Sequence, residues 1–241
     1  MNAEENMLEI ENLRAGYEGK PVLRELNLSL RKGEICCVIG EEGSGKSTLL
    51  KSITRQLKST GRIICNGIDL SAVPVAEMTR HGIDFIGQGG NILRGFTVEE
   101  HVRLALSGKN DEEKRRVRQK VEQTFPKLRA LKNQFAGRLS GGERMILSIA
   151  CVIATDADFL VLDEPTAGLA PETCATIKEF LLRMKCERGK TVLLLEHNYE
   201  FAFEVADSVV TLREGRLSEK FTSSDFRQAE FIDNKLYSVV A

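Results

Sequence analysis

No apolar run in this chain approaches the roughly 20 residues needed to cross a bilayer. The first residues, Met1 to Asn6, carry neither the basic nor the apolar stretch of a secretion signal. Both absences predict a chain that is itself soluble and cytoplasmic. Net charge is almost as scarce: 34 Lys and Arg against 35 Asp and Glu leave −1, which speaks against a nucleic-acid footprint. The six cysteines, Cys36, Cys37, Cys65, Cys151, Cys174 and Cys186, include no C-x-x-C spacing, and most lie in apolar runs. They are expected as buried, reduced thiols. Three scattered histidines make no metal cluster, and neither a repeat nor a low-complexity tract interrupts the chain. What is present is 241 residues, 42% of them hydrophobic, enough to bury a large core as one domain with an inserted subdomain.

The informative stretch is Gly40-Glu41-Glu42-Gly43-Ser44-Gly45-Lys46-Ser47-Thr48, which fits G-x-x-x-x-G-K-[ST]. Before it, Ile35–Ile39 is unbroken apolar sequence, as a strand buried on both faces requires. After it, the spacing is helical. Strand, glycine-rich loop and helix together let backbone N–H groups converge on a phosphate at a helix N-terminus. Lys46 is then placed to reach the β- and γ-phosphates and the Ser47 hydroxyl to coordinate Mg²⁺, with Thr48 packing or capping.

Around this loop, residues 7–17 read as a strand, Glu18-Gly19-Lys20-Pro21 as a turn, and the alternation of Leu26, Leu28 and Leu30 as a second strand of a small antiparallel sheet. Tyr17 is either a half-buried strand residue or a flat surface on which a base stacks, and composition favours packing. Short strands are predicted at residues 61–67 and 82–87. The second ends at Gln88, where a polar side chain sees either Mg²⁺ and the attacking water or only solvent. From about residue 89 to 154 helix replaces strand. Thr97-Val98-Glu99-Glu100 resembles a capping box, and Lys114-Arg115-Arg116 reads as a solvated helix face.

Leu139-Ser140-Gly141-Gly142-Glu143 opens an apolar helix and is a second phosphate-competent helix start. Since residues 40–48 already supply a cradle, a second one suggests a nucleotide held between two protomers. The buried strand Phe159-Leu160-Val161-Leu162 ends in Asp163-Glu164, acids that either start a turn or divide two tasks. Asp163 is placed to hold the Mg²⁺ shell, and Glu164 to polarise a water for attack on the γ-phosphate. His197 follows one more buried strand, Thr191–Glu196, and is structural or touches the γ-phosphate. Residues 218–241 carry Phe221, Phe226, Phe231, Ile232, Leu236 and Tyr237 unevenly and read as a helix or two packed on the core.

These motifs, in this order, resemble the nucleotide-binding subunit of an ABC transporter over roughly residues 7–217. The resemblance implies an α/β P-loop NTPase of RecA-like type, with a mostly parallel sheet, an N-terminal antiparallel β subdomain and an inserted α-helical subdomain. Residues 1–88 and 155–241 would form the nucleotide-binding core and residues 89–154 the helical insert. It further implies ATP and Mg²⁺ as ligands, Tyr17 as the adenine-stacking aromatic, and Gln88 as a link to the membrane subunit. Ser140 and Gly142 would bind the partner's γ-phosphate, with Glu164 the catalytic base and His197 the switch residue. Partners would be a second ATPase subunit, identical or paralogous, and integral-membrane permease subunits holding the chain at the inner face of the membrane, with no nucleic acid.

A finer likeness, in Gly82-Ile83-Asp84-Phe85-Ile86-Gly87-Gln88-Gly89, Phe96-Thr97-Val98-Glu99-Glu100, Phe125-Pro126-Lys127-Leu128 and Ala167-Gly168-Leu169-Ala170-Pro171, is to the ATPases of branched-chain amino-acid importers and the related urea and amide importers. Alternatives are an exporter ATPase and a soluble regulatory or nucleic-acid-associated ABC-type ATPase. The chain departs from the general pattern at Glu41-Glu42, usually Pro-Asn, at Glu143, usually Gln, at Ala170, and at Cys151, where relatives often carry Arg. Two carboxylates beside a triphosphate cost affinity unless they face solvent or a cation, so Glu41 and Glu42 are expected to point outward.

Overall fold

The computed structural model describes residues 5–226. Alternating apolar positions give the first two strands a face to bury. β1 (Asn6–Tyr17) turns Leu8, Ile10 and Leu13 inward, and β2 (Lys20–Arg31) does the same with Leu26, Leu28 and Leu30. They pair antiparallel with Tyr17 opposite Lys20, so the turn is only Glu18 and Gly19, at φ 50° and 78°. Two positive-φ residues make the tight hairpin that matches strand twist. Lys20 and Pro21, expected in the turn, already belong to β2.

β3 (Ile35–Ile39) is buried throughout and leads through the glycine-rich loop into α1 (Lys46–Ile53). β4 (Ser59–Cys65) and β5 (Ile68–Asp69) then return to the first sheet, giving the order β2-β1-β4-β5. β6 (Ile83–Ile86) precedes a run of helices: α2 (Val98–Ala105), α3 (Asp111–Thr124), α4 (Pro126–Ala130) and α5 (Gly141–Thr155). β7 (Phe159–Asp163), α6 (Pro171–Arg188), β8 (Thr191–Glu196), α7 (Tyr199–Val205) and β9 (Ser208–Arg213) come next. The main sheet runs β9-β3-β8-β7-β6, all parallel. Two short antiparallel strands, β10 (Arg216–Leu217) and β11 (Phe221–Thr222), pair with β9, and α8 (Ser223–Phe226) closes the described chain.

Because successive strand residues face opposite sides, each buried strand feeds two cores. Ile35, Cys37, Leu160, Leu162 and Leu194 join the helices on one face. Cys36, Val38, Phe159, Val161 and Leu195 join α1 and the antiparallel sheet on the other. This is the α/β arrangement implied by the motifs. Among the described residues no helix is long and apolar enough to cross a membrane.

Two expectations need correction. Cys36, Cys37 and Cys65 are buried, but Cys151 and Cys174 are half-buried and Cys186 is exposed, because α6 turns that position to solvent. In the described part of the C-terminal stretch, β11, whose Phe221 packs partly buried against the helix-side core, comes before the expected helix, which starts only at α8. Phe231, Ile232, Leu236 and Tyr237 lie outside the described residues.

Candidate active site

Parallel pairing aligns the carboxyl ends of four strands along one edge. Ile39 lies opposite Glu196, Asp163 opposite Leu195, and Ile86 opposite Leu162. The residues just beyond these strand ends therefore meet there: Gly40 after β3, Gln88 after β6, Glu164 after β7 and His197 after β8. Gly40, Glu41, Glu42, Gln88, Glu164, His197 and Tyr199 line one cleft of about 390 Å³. Ligands of open parallel sheets bind at this edge.

The loop is shaped by steric need. A Cβ on Gly40 would lie 2.4 Å from the Ser44 Oγ and 2.7 Å from the Leu212 carbonyl oxygen. Gly45 sits at φ 114° as the residue capping α1, a conformation open to glycine. The first N–H groups of an α-helix have no partner inside the helix, which leaves those of α1, directly after the loop, open to an anion. Lys46 is 4% exposed, and its Nζ donates to the carbonyl oxygens of Gly40 (2.6 Å) and Glu41 (2.9 Å). Ser47 is exposed and Thr48 buried, while Glu41, Glu42 and Gly43 lie at the surface.

Glu164 is the meeting point of the cleft. Its Oε1 lies 3.1 Å from the Lys46 Nζ and 3.8 Å from the His197 Nδ1, and its Oε2 accepts from the Gln88 Nε2 at 3.1 Å. Its backbone is held at φ 48°, a left-handed conformation that costs a non-glycine residue about 1–2 kcal/mol, and its N–H is tied to the Leu195 carbonyl at 2.8 Å. Beside it Asp163 is buried, and burial pushes its carboxyl above the usual range, with a hydrogen bond from Ser47 acting the other way.

Among the described residues, only the Ser44 Oγ and the Asp163 Oδ1 are buried side-chain polar atoms without a hydrogen-bond partner. Ser44 belongs to the phosphate loop, and Asp163 ends the strand that carries Glu164. Buried polar atoms are ordinarily paired, so one orphan in the phosphate loop and another just before Glu164 mark places shaped for a ligand. The Asp163 carboxyl with the Ser47 hydroxyl bonded to it is a donor set suited to a hard, oxygen-seeking divalent cation.

The second helix start stands apart. Ser140 caps α5, accepting from the Glu143 N–H at 3.2 Å while Glu143 Oε2 accepts from the Ser140 N–H at 2.7 Å. Glu143 thus completes a capping box. Leu139 is buried and Gly141 exposed. Ser140, Gly142 and Glu143 line a different groove, of about 410 Å³, and share no lining residue with the cleft at Glu164. Tyr17 also departs from the packing that composition favoured. It is 42% exposed at the end of β1, with the Lys51 Nζ 5.7 Å from its ring centroid, because the two-residue hairpin turns it outward.

Two features had no motif to announce them. Glu196, read only as the end of a buried strand, is fully buried and hydrogen-bonded across the site. Leu93, Phe96, Leu104 and Phe135 are 40–51% exposed apolar side chains. The Phe96 carbonyl accepts from the Ala136 N–H, and Thr97 bridges Phe135, so the segments bearing Phe96 and Phe135 are neighbours. The buried His101 braces them: its Nε2 accepts from the Leu93 N–H at 2.9 Å, and its Nδ1 lies 2.8 Å from the Thr97 carbonyl oxygen.

The family profile described as ABC transporter matches residues 23–167. The probable branched-chain amino acid transport ATP-binding protein LivF of Archaeoglobus fulgidus is 34% identical over 238 residues, covering 97% of this chain and all of that one. The ADP conformation of MJ1267, an ATP-binding cassette of an ABC transporter, superposes with a TM-score of 0.82 at 26% identity, over 98% of both chains. The dimeric structure of MJ0796, a bacterial ABC transporter cassette, gives 0.81 at 25% identity, over 90% of this chain and 99% of that one.

Proposed function

The chain belongs to the ABC transporter family, as an ATP-binding and ATP-hydrolysing subunit, and from that premise we propose that it powers the uptake of amino acids or a related small polar solute. The observation that carries the catalytic reading is the convergence of Lys46, Gln88 and His197 on the single carboxylate of Glu164. Glu164 is the base that takes a proton from the attacking water, within reach of Gln88 and His197, which orient it. Lys46 leaves its loop carbonyls for the β- and γ-phosphates, and the α1 N-terminus holds the remaining phosphate charge. Ser47 and Asp163 hold Mg²⁺, which when bound neutralises charge on the phosphate oxygens. Tyr17 offers its exposed face to the adenine.

The Ser140–Gly142 helix start completes the site of a second copy or a paralogue, since it opens on a groove of its own. The dimeric cassette among the structural neighbours supports this arrangement. ATP bound between two such surfaces closes the dimer, and hydrolysis lets it open. The apolar side chains of Leu93, Phe96, Leu104 and Phe135, in the helical segment beyond Gln88, are the face that docks a membrane permease at the cytoplasmic side. That face favours a transport role over a soluble regulatory one.

Uptake by the source cell tests the solute. Disrupting the gene is expected to lower uptake of labelled branched-chain amino acids, and wild-type protein, but not Glu164→Gln, to restore it. Unchanged uptake of every amino acid tested would refute the solute assignment.

A further inference from the structure

Glu196 joins three loops of the site. Its Oε1 accepts from the Thr166 N–H at 3.2 Å and the Thr166 Oγ1 at 2.6 Å. Its Oε2 accepts from the N–H groups of His197 (3.2 Å) and Asn198 (3.4 Å). Its own carbonyl oxygen accepts from the Gly40 N–H at 3.1 Å, the first residue of the phosphate loop. Thr166 in turn belongs to the turn after Glu164, which is closed by the Ala167 N–H on the Glu164 carbonyl at 3.2 Å. The Glu196 side chain therefore ties the turn after the base to the histidine, while its backbone carbonyl ties the same strand end to the start of the phosphate loop.

The placement is electrostatically expensive. Glu196 is 0% exposed and adds to the negative field that raises the Asp163 carboxyl. A third acidic side chain beside Asp163 and Glu164 opposes folding, and a buried charge is weak evidence of stabilisation. Four donors converging on two oxygens with no lysine or arginine among them amount instead to a geometric clamp, because an acceptor-only group fixes the direction of every donor aimed at it.

We propose that Glu196 is a positioning residue for ATP hydrolysis, holding His197 and the Thr166 turn in register with Glu164. The inference rests on the assignment of Glu164 as base and His197 as its neighbour at the γ-phosphate. Glu196→Gln keeps the shape but turns an amide NH₂ toward two of the four donors, and Thr166→Val removes only the shortest one. Both leave Lys46 and the phosphate loop's glycines in place, so catalysis should suffer more than binding.

The test is ATP turnover by the purified chain for wild type, Glu196→Gln, Thr166→Val, their double variant and Glu164→Gln, together with hydrogen exchange at the Thr166, His197 and Asn198 amides. Expected for Glu196→Gln is a fall in kcat of about tenfold or more with KM for ATP within about twofold. Thr166→Val should fall less, and the double variant no further than Glu196→Gln alone. Exchange at the three amides should speed up while the β3 amides stay protected. A Glu196→Gln enzyme with wild-type kcat and unchanged exchange would overturn the inference. So would a uniform rise in exchange with a matching rise in KM, which marks a merely structural residue. If Glu164→Gln itself turns over normally, the base assignment fails, and the exchange result still decides whether Glu196 positions His197.

Discussion

Lys46→Ala probes the phosphate loop most cleanly. In the structure the Lys46 ammonium makes three contacts, with the Gly40 and Glu41 carbonyl oxygens and with Glu164 at 3.1 Å, and it is almost wholly buried. Moving it onto the β- and γ-phosphates exchanges these contacts for charge-assisted hydrogen bonds, each worth about 1.5–3 kcal/mol. Set against the contacts given up, the net loss on deleting the side chain is about 2 kcal/mol, or about 30-fold in Kd. Because the group lies out of solvent, salt should narrow the difference only a little. Titration with a fluorescent ATP analogue in the presence of Mg²⁺ reads this directly. A variant that binds ATP within about threefold of wild type, with its fold intact, would refute the role given to Lys46.

Tyr17→Ala is expected to weaken ATP binding by about tenfold, since stacking on an aromatic ring contributes about 1–3 kcal/mol per base, while Tyr17→Phe keeps the ring and the affinity. Equal affinity in all three proteins, by the same titration, would place the adenine elsewhere. Asp84 gives a pH-dependent prediction. Burial raises its carboxyl above the usual range, with hydrogen bonds from Thr155 and the Phe85 N–H acting against the shift. A folded-state value above the unfolded one means that stability is greatest where the group is protonated and is lost as pH rises through the folded value. The melting temperature of Asp84→Asn should therefore gain on wild type as pH rises from the ordinary carboxylate range, then level off. A difference constant with pH would contradict this.

The parts of the site that travel as local pattern were legible in the sequence. A run such as Ile35–Ile39 declares a doubly buried strand, and the residues just past the carboxyl end of a parallel strand must lie at the ligand edge, which located Gly40, Gln88, Glu164 and His197 together. The capping box at Thr97 was equally local. Long-range geometry was not legible. Tyr17 looked like a packing residue because composition carries no information on which way a two-residue hairpin turns its neighbour. β4 read as an isolated strand, since its partner β1 lies some fifty residues earlier, and the two-residue β5 that pairs with β4 was not read at all. Glu196 was hidden because a carboxylate at a strand end looks like an ordinary boundary, and its partner Thr166 is 30 residues away. The exposure of Leu93, Phe96 and Phe135 was invisible for a related reason: apolar residues in a loop reveal their surroundings only once the neighbouring segment is in place.

The central claim is that Glu164 performs hydrolysis in a site completed by a second copy. Its most direct test is ATP turnover by wild type and Glu164→Gln across a range of protein concentrations, with particle size followed with and without ATP. The expected result is a steeper-than-linear rise for wild type. For the variant it is a loss of about 10²-fold or more in turnover with ATP binding retained, together with ATP-dependent dimers. Turnover by Glu164→Gln at the wild-type rate would contradict the account.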